Sequence, residues 1–211
     1  DALPIYRTHA VSEPVTRLVT STDFDDLLGS KPTTVSYEGY FFPETYRVYA
    51  DAKPEEIIRK ILTVFRERIP QEWYEEVRRQ NKSFFEILTM ASILEDEGRT
   101  AKDRALIADI LWRRLGRGMR LQVDSSVHYI SARTGDVFTT KQERASGSPW
   151  NTYKFSGLPL GPIGNPSLES IKAAIFPTKN TYWYFLTGTD GVMHYAETFE
   201  KHTANRFRYL K

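Results

Sequence analysis

Cysteine is absent from the 211 residues of this chain. Its absence excludes disulfides, thiol nucleophiles and Cys-based zinc sites, and it suits an oxidising compartment. An excess of charge of one sign is also lacking, since 29 basic and 27 acidic residues leave a formal net charge of +2. That balance provides no electrostatic footprint for nucleic acid or anionic lipid, so no nucleic-acid partner is expected. No apolar run approaches the ~20 residues that cross a bilayer. The N-terminus, Asp1-Ala2-Leu3-Pro4, has neither an initiator Met nor the basic-then-apolar profile of a secretory signal. The chain therefore reads as a fragment of something longer, or as a processed product. Nucleotide-binding glycine loops, the G-x-S-x-G elbow and the H-E-x-x-H zinc motif are missing as well. His9, His128, His194 and His202 show no paired ligand spacing. Surface or ordinary hydrogen-bonding roles are expected for them, with no metal site and no cofactor.

What is present is the balance of a globular protein, 40% apolar and 27% charged. The length fits one good-sized domain, or one domain plus a small appendage. Within the weakly periodic residues 1–36, Thr22 to Gly29 predicts a short capped helix stopped by Gly. Tyr37 to Tyr49, broken by Gly39 and Pro43, predicts an irregular strand or loop. Pro54 to Ile69 has the i, i+3, i+4 apolar spacing of a helix with Pro at its start. Ser83-Phe84-Phe85-Glu86 is a capping-box signature that opens a helix running to about Glu97, where Gly98 ends it. A third helix is expected from Thr100. The Arg113–Arg120 stretch reads as its solvated, basic C-terminal end.

From Met119 to Pro166, abundant Gly, Ser, Pro and Asn predict loops and several short strands, and Asn165-Pro166 predicts a helix with Pro in its first turn. Tyr182–Thr187 and Val192–Ala196, joined by Gly188-Thr189-Asp190-Gly191, form the clearest hairpin pattern, followed by an amphipathic helix carrying Phe199, Phe207 and Tyr209. Helices and hairpin strands are segregated, which predicts an α+β fold: a helical core with short antiparallel strands and a C-terminal β-hairpin.

Chemistry concentrates at the end of the second strong helix, in Glu95-Asp96-Glu97. On a 3.6-residue period, Glu95 projects roughly 60° from the centre of the apolar face, Glu97 about 100°, and Asp96 almost opposite. A carboxylate held against apolar surface has its charged form disfavoured, the condition for an acid still protonated near neutrality. Glu95 is therefore expected to have the raised pKa. On pattern alone the trio reads equally as the solvated end of a helix. Tyr37, Tyr40, Phe41, Phe42, Trp150 and Tyr153 would suit sugar stacking and, equally, core packing.

These residues resemble a family, the endolytic murein transglycosylases of the MltG (YceG-like) type. Glu38-Gly39-Tyr40-Phe41-Phe42-Pro43-Glu44-Thr45-Tyr46 is similar to its opening motif. Ala91-Ser92-Ile93-Leu94-Glu95-Asp96-Glu97 resembles its A-S-I-x-E-K-E helix, whose first glutamate the resemblance makes catalytic, here Glu95. Gly118-Met119-Arg120-Leu121-Gln122-Val123-Asp124, Trp150-Asn151-Thr152-Tyr153 and Gly157–Ile163 follow in the family's order. Departures are Asp96 for Lys, Ser125 for Pro, Trp150 for Tyr, Leu160 for Pro and Arg113 for Asn.

The resemblance covers roughly residues 37–211. It implies a catalytic domain there and a remnant of a LysM-like accessory subdomain in residues 1–36. It further implies cleavage of the MurNAc–GlcNAc β-1,4 bond with formation of 1,6-anhydro ends, Glu95 serving as acid and then base. Glu38, Tyr40, Gln122, Asp124, Ser126, Asn151, Thr152 and Tyr153 are the expected substrate-binding residues. The implied partners are peptidoglycan glycan strands and peptidoglycan synthases. The implied location is the extracytoplasmic face of the bacterial cytoplasmic membrane, reached by an anchor outside this chain. The alternatives are a hydrolytic muramidase pairing Glu95 with Glu97 or Asp124, and a non-catalytic peptidoglycan-binding module.

Overall fold

The computed structural model describes residues 23–131 and 139–211. In chain order the elements are α1 (Asp25–Leu28), α2 (Pro54–Arg68), α3 (Gln71–Arg79), α4 (Phe84–Glu97), α5 (Ala101–Gly116), α6 (Asp124–Ser131), α7 (Lys141–Arg144), α8 (Leu168–Ile175), β1 (Tyr184–Thr187), β2 (Met193–Ala196) and α9 (Phe199–Tyr209). The described chain is thus mostly helical, with a C-terminal two-stranded antiparallel hairpin in the register Tyr184↔Ala196 to Thr187↔Met193.

α4 is the axis of the core. Phe84 and every residue from Ile87 to Leu94 are buried, so this helix is enclosed on all sides rather than along one stripe. It packs chiefly on α8 and α5, with α1, α3 and α6 also in contact. Its N-terminus is set as the sequence predicts: Ser83 Oγ accepts from Glu86 N (3.1 Å) and Glu86 Oε2 accepts from Ser83 N (2.7 Å). Gly98 closes the helix in an extended conformation. The buried hydroxyl of Ser92 is satisfied twice, donating to Thr89 O (2.8 Å) and accepting from Ile163 N (3.0 Å). That second bond fastens the 157–163 loop to α4.

Three expectations are corrected. The described residues between 119 and 166 contain α6 and α7 but no strand. The Thr140–Glu143 capping box that starts α7 is a helix signal the loop-like composition obscured. The helix expected at Asn165-Pro166 begins at Leu168 with Ser167 as its N-cap. Asn165 is committed elsewhere, its Oδ1 accepting from Gly39 N (2.8 Å) and Phe41 N (3.2 Å). Finally, the Arg113–Arg120 stretch is not simply solvated. Arg114 is buried and donates to Trp183 O (3.0 Å) and Leu121 O (2.7 Å), while Arg113 reaches Asp109, Asn180 and Tyr182.

At the N-terminal end, Thr22 lies outside the described residues, and α1 is a single turn without a side-chain cap. Phe24, Leu27 and Leu28 belong to the same apolar core as α2, α4 and α8. The described part of residues 1–36 is therefore packed into the main body. No helix among the described residues is long and apolar enough to cross a membrane.

Candidate active site

Glu95 and Glu97 leave the last turn of α4 in different directions, each reaching the start of another helix. Glu95 Oε2 accepts from Ser167 N (2.9 Å) and Ser167 Oγ (2.6 Å), at the N-cap of α8. Its Oε1 lies 3.5 Å from the Arg104 guanidinium, which also pairs with Glu169 at 3.0 Å. Partial burial pushes the Glu95 carboxyl upward. The Ser167 hydrogen bonds and the Arg104 charge outweigh it, and the net effect holds Glu95 below the ordinary glutamate value. The raised pKa expected for Glu95 is therefore corrected. Its partners are all donors, and donors favour the charged form.

Glu97 has the opposite balance. Its Oε1 accepts from Ser125 Oγ (2.7 Å) and Ser125 N (3.3 Å) in the first turn of α6. No cation is among the main influences on it. Desolvation dominates, and the charges of Asp124 and Asp96 reinforce it against the two Ser125 hydrogen bonds, pushing Glu97 up to about 7. A carboxyl poised there holds a proton near neutrality and still releases it readily.

Asp124, one residue before Ser125, accepts from Thr139 Oγ1 (2.6 Å) and Tyr153 Oη (2.8 Å) through one oxygen. Burial and the Asp124 charge push the Tyr153 hydroxyl well above the usual tyrosine range, so it stays a donor. Gln122 is exposed and adopts a left-handed backbone (φ 53°), its N–H bonded to Thr152 O at 3.1 Å. Glu38 is half-buried and accepts from Tyr129 Oη at 2.6 Å.

The other expected contact residues are enclosed. Tyr40 is fully buried in the core against Phe65. Asn151 spends its amide on the carbonyls of Arg144 (3.0 Å) and Ser146 (2.8 Å) and its Oδ1 on Tyr153 N (3.0 Å). Thr152 and Ser126 pair their hydroxyls with each other at 2.8 Å. In this conformation these four residues build the scaffold and present no surface to a ligand. Trp150 and Tyr153, which flank Asn151 and Thr152, carry their rings to α6 instead: Trp150 packs on Tyr129, and Tyr153 bonds Asp124.

Gly39 shows why the opening motif needs glycine. Its φ is +89°, and a Cβ there would stand 2.5 Å from Pro162. This close approach seats the Glu38 loop against the 157–165 segment. A cavity of about 370 Å³ lies elsewhere, between Phe85, Thr89, Trp112, Leu115 and residues 157–159, and includes neither Glu95 nor Glu97. No group of three or more potential metal ligands is found among the described residues.

A family model, described as the YceG-like family, matches residues 5–208. The chain belongs to the YceG-like family. Relatives named endolytic murein transglycosylase include one from Bacillus subtilis, 35% identical over 175 residues, covering 82% of this chain and 48% of that protein. Another, from Streptococcus pneumoniae, is 34% identical over 173 residues, covering 80% of this chain and 31% of that protein. The chain thus spans between about a third and a half of the curated relatives it matches. A solved YceG-like structure from Listeria monocytogenes superimposes with a TM-score of 0.75 at 32% identity, covering 90% of this chain and 66% of that one. Membership in the YceG-like family therefore rests on both sequence and fold.

Proposed function

We propose that this chain is the catalytic domain of an endolytic murein transglycosylase in which Glu97 is the acid–base carboxylate and Glu95 a structural clasp. The observation that carries the reading is the contrast in partners two residues apart: half-buried Glu97 meets Ser125 beside the Asp124 charge and is pushed up to about 7, whereas Glu95 is engaged by Ser167 and Arg104 and held below the ordinary glutamate value. The resemblance assigns the role to Glu95; the environments favour Glu97. The names of the relatives supply the reaction class.

Protonated Glu97 donates to the glycosidic oxygen as the C1–O bond of N-acetylmuramic acid breaks, through an oxocarbenium-like state. The resulting carboxylate takes the proton of the C6 hydroxyl, whose oxygen closes on C1 to give the 1,6-anhydro end. One group does both jobs, and an intramolecular nucleophile makes an activated water unnecessary. Asp124, whose negative charge already acts on Glu97, would stabilise positive charge developing at C1. Gln122, exposed beside it, is suited to N-acetyl and hydroxyl contacts.

The adjacency of Glu97 and Asp124 also supports a second reading, hydrolysis by a carboxylate pair. Mass spectrometry of purified glycan strands digested by the chain, by Glu97→Gln and by Glu95→Gln separates the possibilities. Anhydro ends from the parent, lost only in Glu97→Gln, support the proposal. Hydrated ends support the paired mechanism, and loss in Glu95→Gln with full activity in Glu97→Gln returns the role to Glu95. No cleavage by the parent leaves a binding module. The same reading places the domain outside the cytoplasm, acting on peptidoglycan beside its synthases, in a longer protein with a membrane anchor. The LysM-like origin of residues 1–36 belongs to this proposal too, chiefly for the residues before Asp23.

A further inference from the structure

The face of α6 that meets Glu97 continues to a second group of side chains. Ser125, which bonds Glu97, and Tyr129 are four residues apart on α6, so they share a face and stand about 6 Å apart along the axis. The Tyr129 ring packs on Trp150 with centroids 5.8 Å apart and planes tilted by 40°. The Tyr129 hydroxyl donates to Glu38 at 2.6 Å. Tyr129, Trp150 and Glu38 are each half-buried, so each keeps surface open to solvent. Three separate segments converge here: α6, the 146–153 loop and the loop that Gly39 and Asn165 seat.

We propose that Trp150, Tyr129 and Glu38 form a sugar-binding subsite one helical turn from Glu97. It would take one ring of the glycan strand and thereby fix which bond reaches the acid. The inference rests on the transglycosylase reading above. The aromatic pair offers an apolar shelf to the C–H face of a pyranose, and an aromatic ring supplies much contact area at low entropic cost. Glu38 keeps acceptor capacity beyond the Tyr129 bond for a sugar hydroxyl or N-acetyl N–H, since a carboxylate has about four lone-pair sites. The shelf is rigid because Asn151, next to Trp150, is locked by the carbonyls of Arg144 and Ser146. Such second-layer support is what a positioning site requires. Carboxylate and rings together fit a neutral, hydroxyl-rich ring and disfavour an anionic group.

The test is binding of defined-length GlcNAc–MurNAc oligosaccharides to the Glu97→Gln protein by calorimetry, joined to steady-state cleavage by proteins that retain Glu97. Trp150→Ala is expected to weaken binding and raise KM by about tenfold with kcat nearly unchanged. Trp150→Tyr, which keeps an aromatic face, should stay near the parent. Where Trp150→Ala melts early, Trp150→Leu serves, because it keeps apolar bulk without a ring. Unchanged binding in Trp150→Ala or Trp150→Leu, or a fall in kcat at constant KM, overturns the subsite. A parent protein that cleaves normally while all variants match it sinks the subsite alone. A parent that neither cleaves nor binds sinks the underlying functional reading.

Discussion

Glu95 and Ser167 meet twice: one carboxylate oxygen accepts both the amide and the hydroxyl of the serine that caps α8. The contact joins the end of the most buried helix to the start of its principal partner. It also places a negative charge at a helix N-terminus, where the macrodipole favours one. Arg104 on α5 completes the clasp. Three helices are thus tied at a point two residues before Glu97, so the carboxylate proposed as the acid sits on a fixed support.

Replacing Glu95 by Gln should therefore act mainly on stability. The amide keeps one acceptor but loses the charge that Ser167 and Arg104 address, at a cost of about 1–3 kcal/mol. Glu95 lies below its unfolded value, so its contribution is present above that value and lost as pH falls through the lowered native one. Thermal melts should show Glu95→Gln well below the parent at pH 7 and closer to it under acid conditions. Cleavage at a temperature where both proteins are folded should persist. A variant as stable as the parent at pH 7 would contradict the clasp.

Glu97→Gln should do the reverse. Because Glu97 is raised from 4.5 to about 7, the native state keeps a proton that the unfolded chain loses across that interval. Stability from this group is full below the unfolded value and falls as pH rises through the native one. The neutral amide escapes that loss, so above pH 7 the variant should melt higher, by on the order of 5 °C. The gain should shrink at pH 5. Cleavage should drop by about 10²–10⁴, the usual worth of a positioned general acid.

The pH profile gives a separate reading. An acid that must enter the cycle protonated predicts kcat/KM declining as pH rises past about 7. Desolvation sets most of that value, and the charges acting on Glu97 are those of Asp124 and Asp96. Asp124→Asn removes one of them, so the alkaline limb should move to lower pH. Loss of overall rate with the limb unmoved would make Asp124 a purely structural partner of Tyr153 and Thr139.

The fold was legible where a local signal was strong and went uncontested. Ser83–Glu86 and Gly98 bounded α4, and the turn from Gly188 to Gly191 marked the hairpin. α6 was hidden because its approach runs through a left-handed Gln122 amid loop-forming residues. An angle on a helical wheel does not by itself separate Glu95 from Glu97, for a physical reason. A helical wheel measures distance from one buried face, whereas α4 is enclosed all round, with Thr89, Met90, Ser92 and Ile93 as buried as its apolar stripe. What separates the two carboxylates is the partner each finds, Ser167 with Arg104 or Ser125 near Asp124. The Ser125 and Ser167 contacts span 28 and 72 residues of sequence. Enclosure of Asn151, Thr152 and Ser126 was hidden likewise, because polar residues in a motif look the same whether they bond substrate or backbone.

Arg114 offers a final test of how the periphery supports the site. Its guanidinium is buried, bonded to Trp183 O ahead of β1 and to Leu121 O ahead of α6, and it lies 5.2 Å from the Tyr184 ring centroid. One side chain on α5 therefore fixes both the hairpin and the backbone that leads into Gln122 and Asp124. Arg114→Met keeps much of the stem's packing but leaves two carbonyls without their donor, at about 2–3 kcal/mol for charge-assisted bonds. Hydrogen exchange should quicken across Tyr184–Ala196 and across the first turn of α6. Cleavage should fall although no residue near Glu97 has changed. Arg114→Lys should recover little, because a single ammonium does not reproduce the two-pronged geometry of the guanidinium. Exchange unchanged at α6, with only the hairpin loosened, would confine Arg114 to anchoring the sheet.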